Sequence, residues 1–250
     1  MSWGVFTLEE RPGLGGAVRS MSSGVLPEFM HHDAWANRFW DRLFTDFGGF
    51  QVVVCDDDDR VVAAGNSVPL LWDGELDGLP GGVGEAVERG VEDLEGGRVP
   101  TVSSALLAMV VPGHQGRGLS TVVLRAMKNV AAGRGLAALI APVRPTLKDR
   151  YPLTPMERYI LWEREDGLSF DPWLRVHRRL GAEVLRVAPR SMTITGSIEE
   201  WEIWTGMRFP ESGPYVVPGA LCPVEMDVER NLGTYEEPNV WMRHPIEDGR

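Results

Sequence analysis

The most constraining feature of the chain lies near its middle. Ala105-Leu106-Leu107-Ala108-Met109-Val110-Val111 is an apolar run of strand character, and it leads directly into Pro112-Gly113-His114-Gln115-Gly116-Arg117-Gly118. From Leu119 to Ala132, apolar Val122, Val123, Ala126, Met127 and Val130 recur at helical spacing, and Gly133 and Gly135 supply a stop. Ala137–Val143 then reads as a second strand. Strand, glycine turn, helix and strand in this order make a βαβ unit.

The turn itself predicts chemistry. Glycines let a backbone approach an anion closely, and the first turn of the following helix offers unpaired N–H groups at the positive end of its dipole. Physics alone therefore places an anion at residues 115–120 without naming it. Two phosphate-binding patterns do not fit. A P-loop needs Gly-Lys-Ser/Thr, and the turn holds no lysine. A dinucleotide fingerprint needs a third glycine where Thr121 stands.

The rest of the chain surrounds this unit with further elements. Trp3–Leu8 reads as a first strand, and Asp33 as the N-cap of a helix reaching to about Phe47, with Trp35, Phe39, Trp40, Leu43, Phe44 and Phe47 at helical spacing. Gln51–Cys55 and Val61–Ser67 form a hairpin about the solvated turn Asp56-Asp57-Asp58-Asp59-Arg60, which lacks calcium-loop spacing. Residues 70–100 read as an insertion, placed to act as a lid over a substrate. After Ala137–Val143 come a proline-rich stretch to Pro155, a helix over Met156–Glu165, a helix opened by Asp171-Pro172 and ended at Gly181, strands at Glu183–Val187 and Ser191–Thr195, and a short helix at Glu199–Thr205.

Composition limits the partners. The 250 residues carry a net charge of −11, which argues against a nucleic-acid partner, whose phosphates call for a basic patch, and permits a cationic substrate. No apolar run is long enough to span a membrane, and Met1-Ser2-Trp3-Gly4 opens no signal peptide, so a cytoplasmic location is expected. Cys55 and Cys222 are too few for a disulfide framework and lack metal-ligand spacing, and His31-His32 lacks a third ligand, so no metal site is expected.

Gln115-Gly116-Arg117-Gly118-Leu119-Ser120 resembles the CoA-binding signature of the GNAT superfamily of acyl-CoA-dependent N-acetyltransferases, with Ser120 where another small residue is usual. The resemblance implies an α/β fold whose central sheet is mixed, mostly antiparallel, splayed at one parallel strand pair and flanked by helices. It implies acetyl-CoA as co-substrate, with the backbone of Met109, Val110 and Val111 along the pantetheine arm and residues Gln115 through Ser120 on the pyrophosphate. It covers roughly Val52–Thr195, so the expected organisation is one domain over 1–250, with the insertion at about 70–100 and a C-terminal extension from about 199. That extension is also placed to serve as a strand in a homodimer.

The expected chemistry is transfer of an acyl group to a small amine. Many GNAT enzymes keep a glutamate on the strand before the turn, whereas Thr101-Val102-Ser103-Ser104-Ala105-Leu106 offers none. The resemblance also implies a tyrosine beyond the second strand as the acid for the leaving thiolate, and Tyr151 and Tyr159 are the phenols available there. Phe170–Ala182 is similar to the later helix of the GNAT-like domains that load polyketide assembly lines. That likeness implies a catalytic role for His177, paired with Thr146, in malonyl-CoA decarboxylation and S-acyl transfer to an acyl carrier protein. Trp35 or Trp40 would wall the acyl pocket. Two readings besides N-acylation thus stand: the decarboxylase and S-acyltransferase, and a non-catalytic acyl-CoA-binding module.

Overall fold

The computed structural model describes residues 3–21 and 25–246, so the expectation about the Met1-Ser2 leader and the outermost ends of the 1–250 unit fall outside them. The N-terminal part comprises β1 (Gly4–Thr7), α1 (Gly15–Met21), α2 (Ala34–Trp40), α3 (Arg42–Thr45), β2 (Val52–Cys55), β3 (Val61–Leu70) and α4 (Val83–Glu95). The middle is β4 (Val102–Val110), α5 (Leu119–Gly133), β5 (Ala138–Val143), α6 (Met156–Tyr159) and α7 (Pro172–Arg179). The remainder is β6 (Glu183–Gly196), α8 (Ile198–Thr205), β7 (Gly213–Tyr215), β8 (Val224–Asp227) and β9 (Leu232–Pro245).

All these strands join one sheet in the order β1-β2-β3-β4-β5-β9-β8-β7, with β6 on the other edge of β9. Every pairing is antiparallel except β4 with β5. That parallel pair holds only at Val102–Ala138, Ser103–Leu139 and Ser104–Ile140, after which the strands part. The cause is local. The β3–β4 register shifts between Asn66–Leu107 and Ser67–Ala105, leaving Leu106 as an extra residue in β4. A bulge bends its strand and increases its twist. The bend falls where pairing with β5 ends, so the β5-facing edge of Ala105–Val110 is left open.

Two layers of helices cover the sheet. On one face α5, α6 and α7 pack Leu119, Val123, Met127, Tyr159 and Leu174 against Ala105, Ala141, Val143 and Val240. On the other, α2, α3 and α4 pack Ala36, Leu43, Val87 and Val91 against Leu70, Leu106, Ile140 and Trp241. Helix α4 buries Val83, Ala86, Val87 and Val91, so residues 70–100 form part of this covering layer rather than a lid. A third cluster joins the C-terminal strands to α8 and to Phe29 and Met30, with Trp201 and Tyr235 fully buried. Trp201 lies so near β9 that a Cβ on Gly233 would stand 2.3 Å from its Cδ1. Among the described residues no helix is long and apolar enough to cross a membrane.

Some boundaries differ from the sequence reading. The expected helix from Asp33 to Phe47 breaks at Asp41, where the Phe44 amide donates to the Asp41 carbonyl in a tighter turn. The helix expected over Met156–Glu165 stops at Tyr159, because Tyr151, Tyr159, Trp162 and Phe170 gather into one aromatic cluster and the Phe170 amide donates to the Trp162 carbonyl. The two strands expected over Glu183–Thr195 are the single β6, irregular where it pairs β9 between Ala188 and Met192.

Candidate active site

The turn between β4 and α5 is built as its sequence implies. Pro112–His114 forms a 3-10 turn closed by the Gln115 amide on the Pro112 carbonyl. Gly116 and Gly118 then take φ values of 76° and 78°, the left-handed region that glycine enters without steric cost. Gly118 caps α5 with no side chain of its own, and a Cβ at either glycine would meet nothing within 4 Å. The amides of Leu119 and Ser120 belong to the first helical turn and have no partner inside the helix. The turn therefore presents open backbone donors at the positive end of a 15-residue helix.

A cavity of about 860 Å³ begins at this turn and passes through the splay. Side chains of a strand alternate between faces, so successive residues along its walls belong to opposite sides of the sheet. On the α5–α7 face the wall is Gln115, Gly116, Gly118, Leu119 and Ser120, continued by Ala141, Val143, Trp173 and His177. On the α2–α4 face it is Asp33, Asn37, Trp40, Leu106, Arg144, Glu237 and Asn239. One mouth is thus rich in backbone donors, and the far end is polar and acidic.

That acidic wall has two parts. Glu237 is fully buried, and it accepts from Arg144 Nε at 2.9 and 3.1 Å, Tyr235 Oη at 2.9 Å and Asn239 Nδ2 at 3.1 Å. Burial opposes the Arg144 charge, but Glu237 beside it holds the guanidinium pKa above its usual value. Asp33, 2% exposed, caps α2: its Oδ1 accepts from the Ala36 amide at 2.9 Å and its Oδ2 from the Thr193 amide at 3.2 Å. Burial raises its pKa, the backbone donors pull it back, and the negative Glu237 adds to the rise.

A histidine pair lies on the opposite face. His177 Nδ1 and His244 Nε2 are 2.9 Å apart. His244 also bonds the Leu180 backbone, so its Nδ1–H donates there and its Nε2 accepts the proton of His177 Nδ1. His177 Nε2 is left as a buried lone pair with no partner. Burial, and for His177 also the neighbouring His244, push the pKa values down to about 3 for His177 and about 4 for His244. Both rings are neutral at physiological pH.

The cavity brings together most of the residues singled out in the sequence. Val110, Gln115, Gly116, Gly118, Leu119, Ser120, Thr146 and His177 line it, as does Trp40. The Met109 side chain packs in the core under α1 while its backbone stays on the open edge of β4, the Val111 amide donates to the Val62 carbonyl, and Arg117 is exposed on the outer side of the turn. Tyr151 stands off the cavity wall, its ring held edge-on to Trp162 and Phe170. Tyr159 donates to Asp171 Oδ2 at 3.0 Å, and burial with that carboxylate drives its pKa upward, so it is a poor proton donor to anything else. Trp35 lies on the outside, donating to Glu88. The sequence reading missed the functional potential of Arg144, Glu237 and Asn239 and took Asp33 only as a cap. The available signal was Glu236-Glu237-Pro238-Asn239, polar residues set inside an otherwise strand-like C-terminal segment.

Comparison with known proteins places this geometry. No family model matches the chain. A relative from Aspergillus versicolor, arginine N-acetyltransferase avaD, is 35% identical over 253 residues, spanning 90% of this chain and 86% of its own. Among solved structures, the loading GNATL domain of CurA from Lyngbya majuscula superposes with a TM-score of 0.62 at 17% identity, covering 98% of both chains. The GphF GNAT-like decarboxylase in complex with isobutyryl-CoA follows at 0.57 and 15%, covering 99% of this chain and 100% of its own. These two share the fold.

Proposed function

The chain belongs to the GNAT superfamily of N-acetyltransferases, and on that premise we propose that it transfers the acetyl group of acetyl-CoA to an amine of a small cationic acceptor, with arginine, the substrate in the relative's name, as the first candidate. One observation carries this reading: a single cavity connects the glycine turn on one face of the sheet with an acidic wall on the other. The pyrophosphate of acetyl-CoA sits on the amides of residues 116–120, with Gln115 beside it on the cavity wall. Its pantetheine arm runs along the open edge of β4 toward Val110, and its thioester reaches the splay.

The acceptor enters from the α2–α4 face. Its ammonium first gives up a proton, since only the neutral amine is a nucleophile. The nitrogen lone pair attacks the thioester carbonyl, an N–C bond forms, the C–S bond breaks, and the leaving thiolate takes up the proton that the acylated nitrogen sheds. The walls align the two reactants across the splay, and this positioning is the main contribution of the fold.

A second reading is favoured by one feature. Thr146 and His177 both line the cavity, and His177 Nε2 has no partner. These are the residues a malonyl-CoA decarboxylase and S-acyltransferase would use, with an acyl carrier protein as acceptor. Calorimetric titration with CoA, acetyl-CoA and malonyl-CoA, followed by turnover with arginine, separates the readings. N-acetylation predicts an acetylated amine and free CoA. The second reading predicts carbon dioxide from malonyl-CoA and no acetylated amine. Gly118→Glu, which brings a negative side chain to the turn, abolishes binding of every CoA ester if the pyrophosphate sits there.

A further inference from the structure

One charged residue of the cavity wall lacks a charged partner of opposite sign. The wall carries two arginines and two carboxylates, besides His31, His114 and His177. Arg144 is taken by Glu237, and Arg19 pairs with Asp41 and lies over the Phe44 ring. Among the described residues no lysine, arginine or histidine nitrogen pairs with Asp33, whose partners are backbone amides alone. A nearly fully buried carboxylate without a counter-ion is a costly arrangement. Capping does not require it, because asparagine or serine caps a helix as well as aspartate without the charge. Glu237 cannot supply compensation and instead disfavours the Asp33 charge further. A cationic group of a bound molecule in the cavity would supply the missing counter-charge.

We propose that Asp33 is the specificity-determining counter-ion for a cationic group of the acceptor other than the amine that reacts, a guanidinium or a second ammonium. This deepens the N-acetyltransferase reading and rests on it. The position supports the assignment. Asp33 stands on the α2–α4 wall, across the sheet from the glycine turn, so a cation seated on it leaves the rest of the acceptor to extend toward the splay. Asn37 and Asn239 share this wall. The Asn37 amide donates to the His31 carbonyl, and that of Asn239 to Glu237 and the Pro238 carbonyl. Their side-chain oxygens remain as further acceptors for a donor-rich guanidinium.

Asp33→Asn is the informative variant, since its Oδ1 still accepts from the Ala36 amide while the charge is removed, and the bond from the Thr193 amide is lost with it. Steady-state kinetics are measured with acetyl-CoA and two acceptors, arginine and norvaline, which keeps an aliphatic amino-acid frame but lacks the guanidinium. The expected result is a rise in KM for arginine on the order of 10- to 100-fold, the size of a charge-assisted contact, with kcat within about threefold and norvaline kinetics unchanged. Wild-type preference for arginine over norvaline shrinks by the same factor. Equal kcat losses for both acceptors overturn the proposal and make Asp33 a proton acceptor. Unchanged kinetics for both overturn it as well. If the wild type acetylates neither while CoA binds, the parent reading fails first, and that outcome is visible before any variant is made. A cooperative thermal melt together with unchanged norvaline kinetics shows that Asp33→Asn is folded.

Discussion

Lowering the pH from 7 to 5 destabilises this protein through its buried histidine pair. His177 and His244 are 1% exposed, share one hydrogen bond, and have pKa values pushed by burial from 6.5 to about 3 and about 4. In the unfolded chain both return to their ordinary value. Between the folded and unfolded pKa values the unfolded state binds more protons, so stability rises with pH in that window. The contribution is fully present above 6.5 and is lost as pH falls toward the folded pKa values. At pH 5 each unfolded histidine is almost wholly protonated while its folded counterpart is not, a difference of about 2 kcal/mol per ring and about 4 kcal/mol for the pair. Carboxylates contribute their own pH dependence, so the reference is the double variant His177→Leu/His244→Leu, in which only the pair is removed. Urea denaturation at both pH values gives the comparison. Wild type loses about 4 kcal/mol more than the double variant over this interval. Equal losses would mean that the rings already carry protons in the folded protein, and the tautomer assignment at His177 would fall with the argument.

Two further substitutions test the packing around the site. Glu237→Gln leaves the partly buried Arg144 guanidinium against neutral partners and lowers unfolding free energy by about 2 kcal/mol in chemical denaturation, whereas a loss below about 0.5 kcal/mol would mean the pair is already solvated. Gly233→Ala drives a methyl group into the buried Trp201 ring, costing about 1–3 kcal/mol and shifting tryptophan fluorescence, while neutral behaviour would show that α8 can move away.

The βαβ unit was legible because every cue for it is local. The apolar run, the glycines at 116 and 118 and the helical spacing after Leu119 lie within one stretch, and the structure forms β4, α5 and β5 there. The mixed sheet with one parallel pair follows from the same stretch together with the family resemblance. The acidic wall was not legible, because Asp33, Arg144 and Glu237 come from distant segments and meet only when β9 lies beside β5. The length of β9 was hidden for a related reason. It pairs β5 along one half, β8 along the other and β6 on its far side, so its residues read as mixed rather than alternating. Tyr151 shows the reverse case. Its place in the sequence suits a proton donor, but aromatic neighbours at Trp162 and Phe170 give its ring a better partner than the cavity. His177 was drawn from resemblance, and His244, which sets its tautomer, carried no sequence signal because its partner is only found across the α7–β9 contact.

In the proposed reaction one cavity joins an acetyl-CoA turn to an amine site across the splay. The most direct test of that reaction is to incubate the protein with acetyl-CoA and arginine and follow free thiol and product mass together. Stoichiometric release of CoA and a product one acetyl group heavier than arginine are expected, both lost in Gly118→Glu. Binding of acetyl-CoA with no acetylated product from arginine or other small amines, together with carbon dioxide released from malonyl-CoA, would contradict it and assign the cavity to decarboxylation.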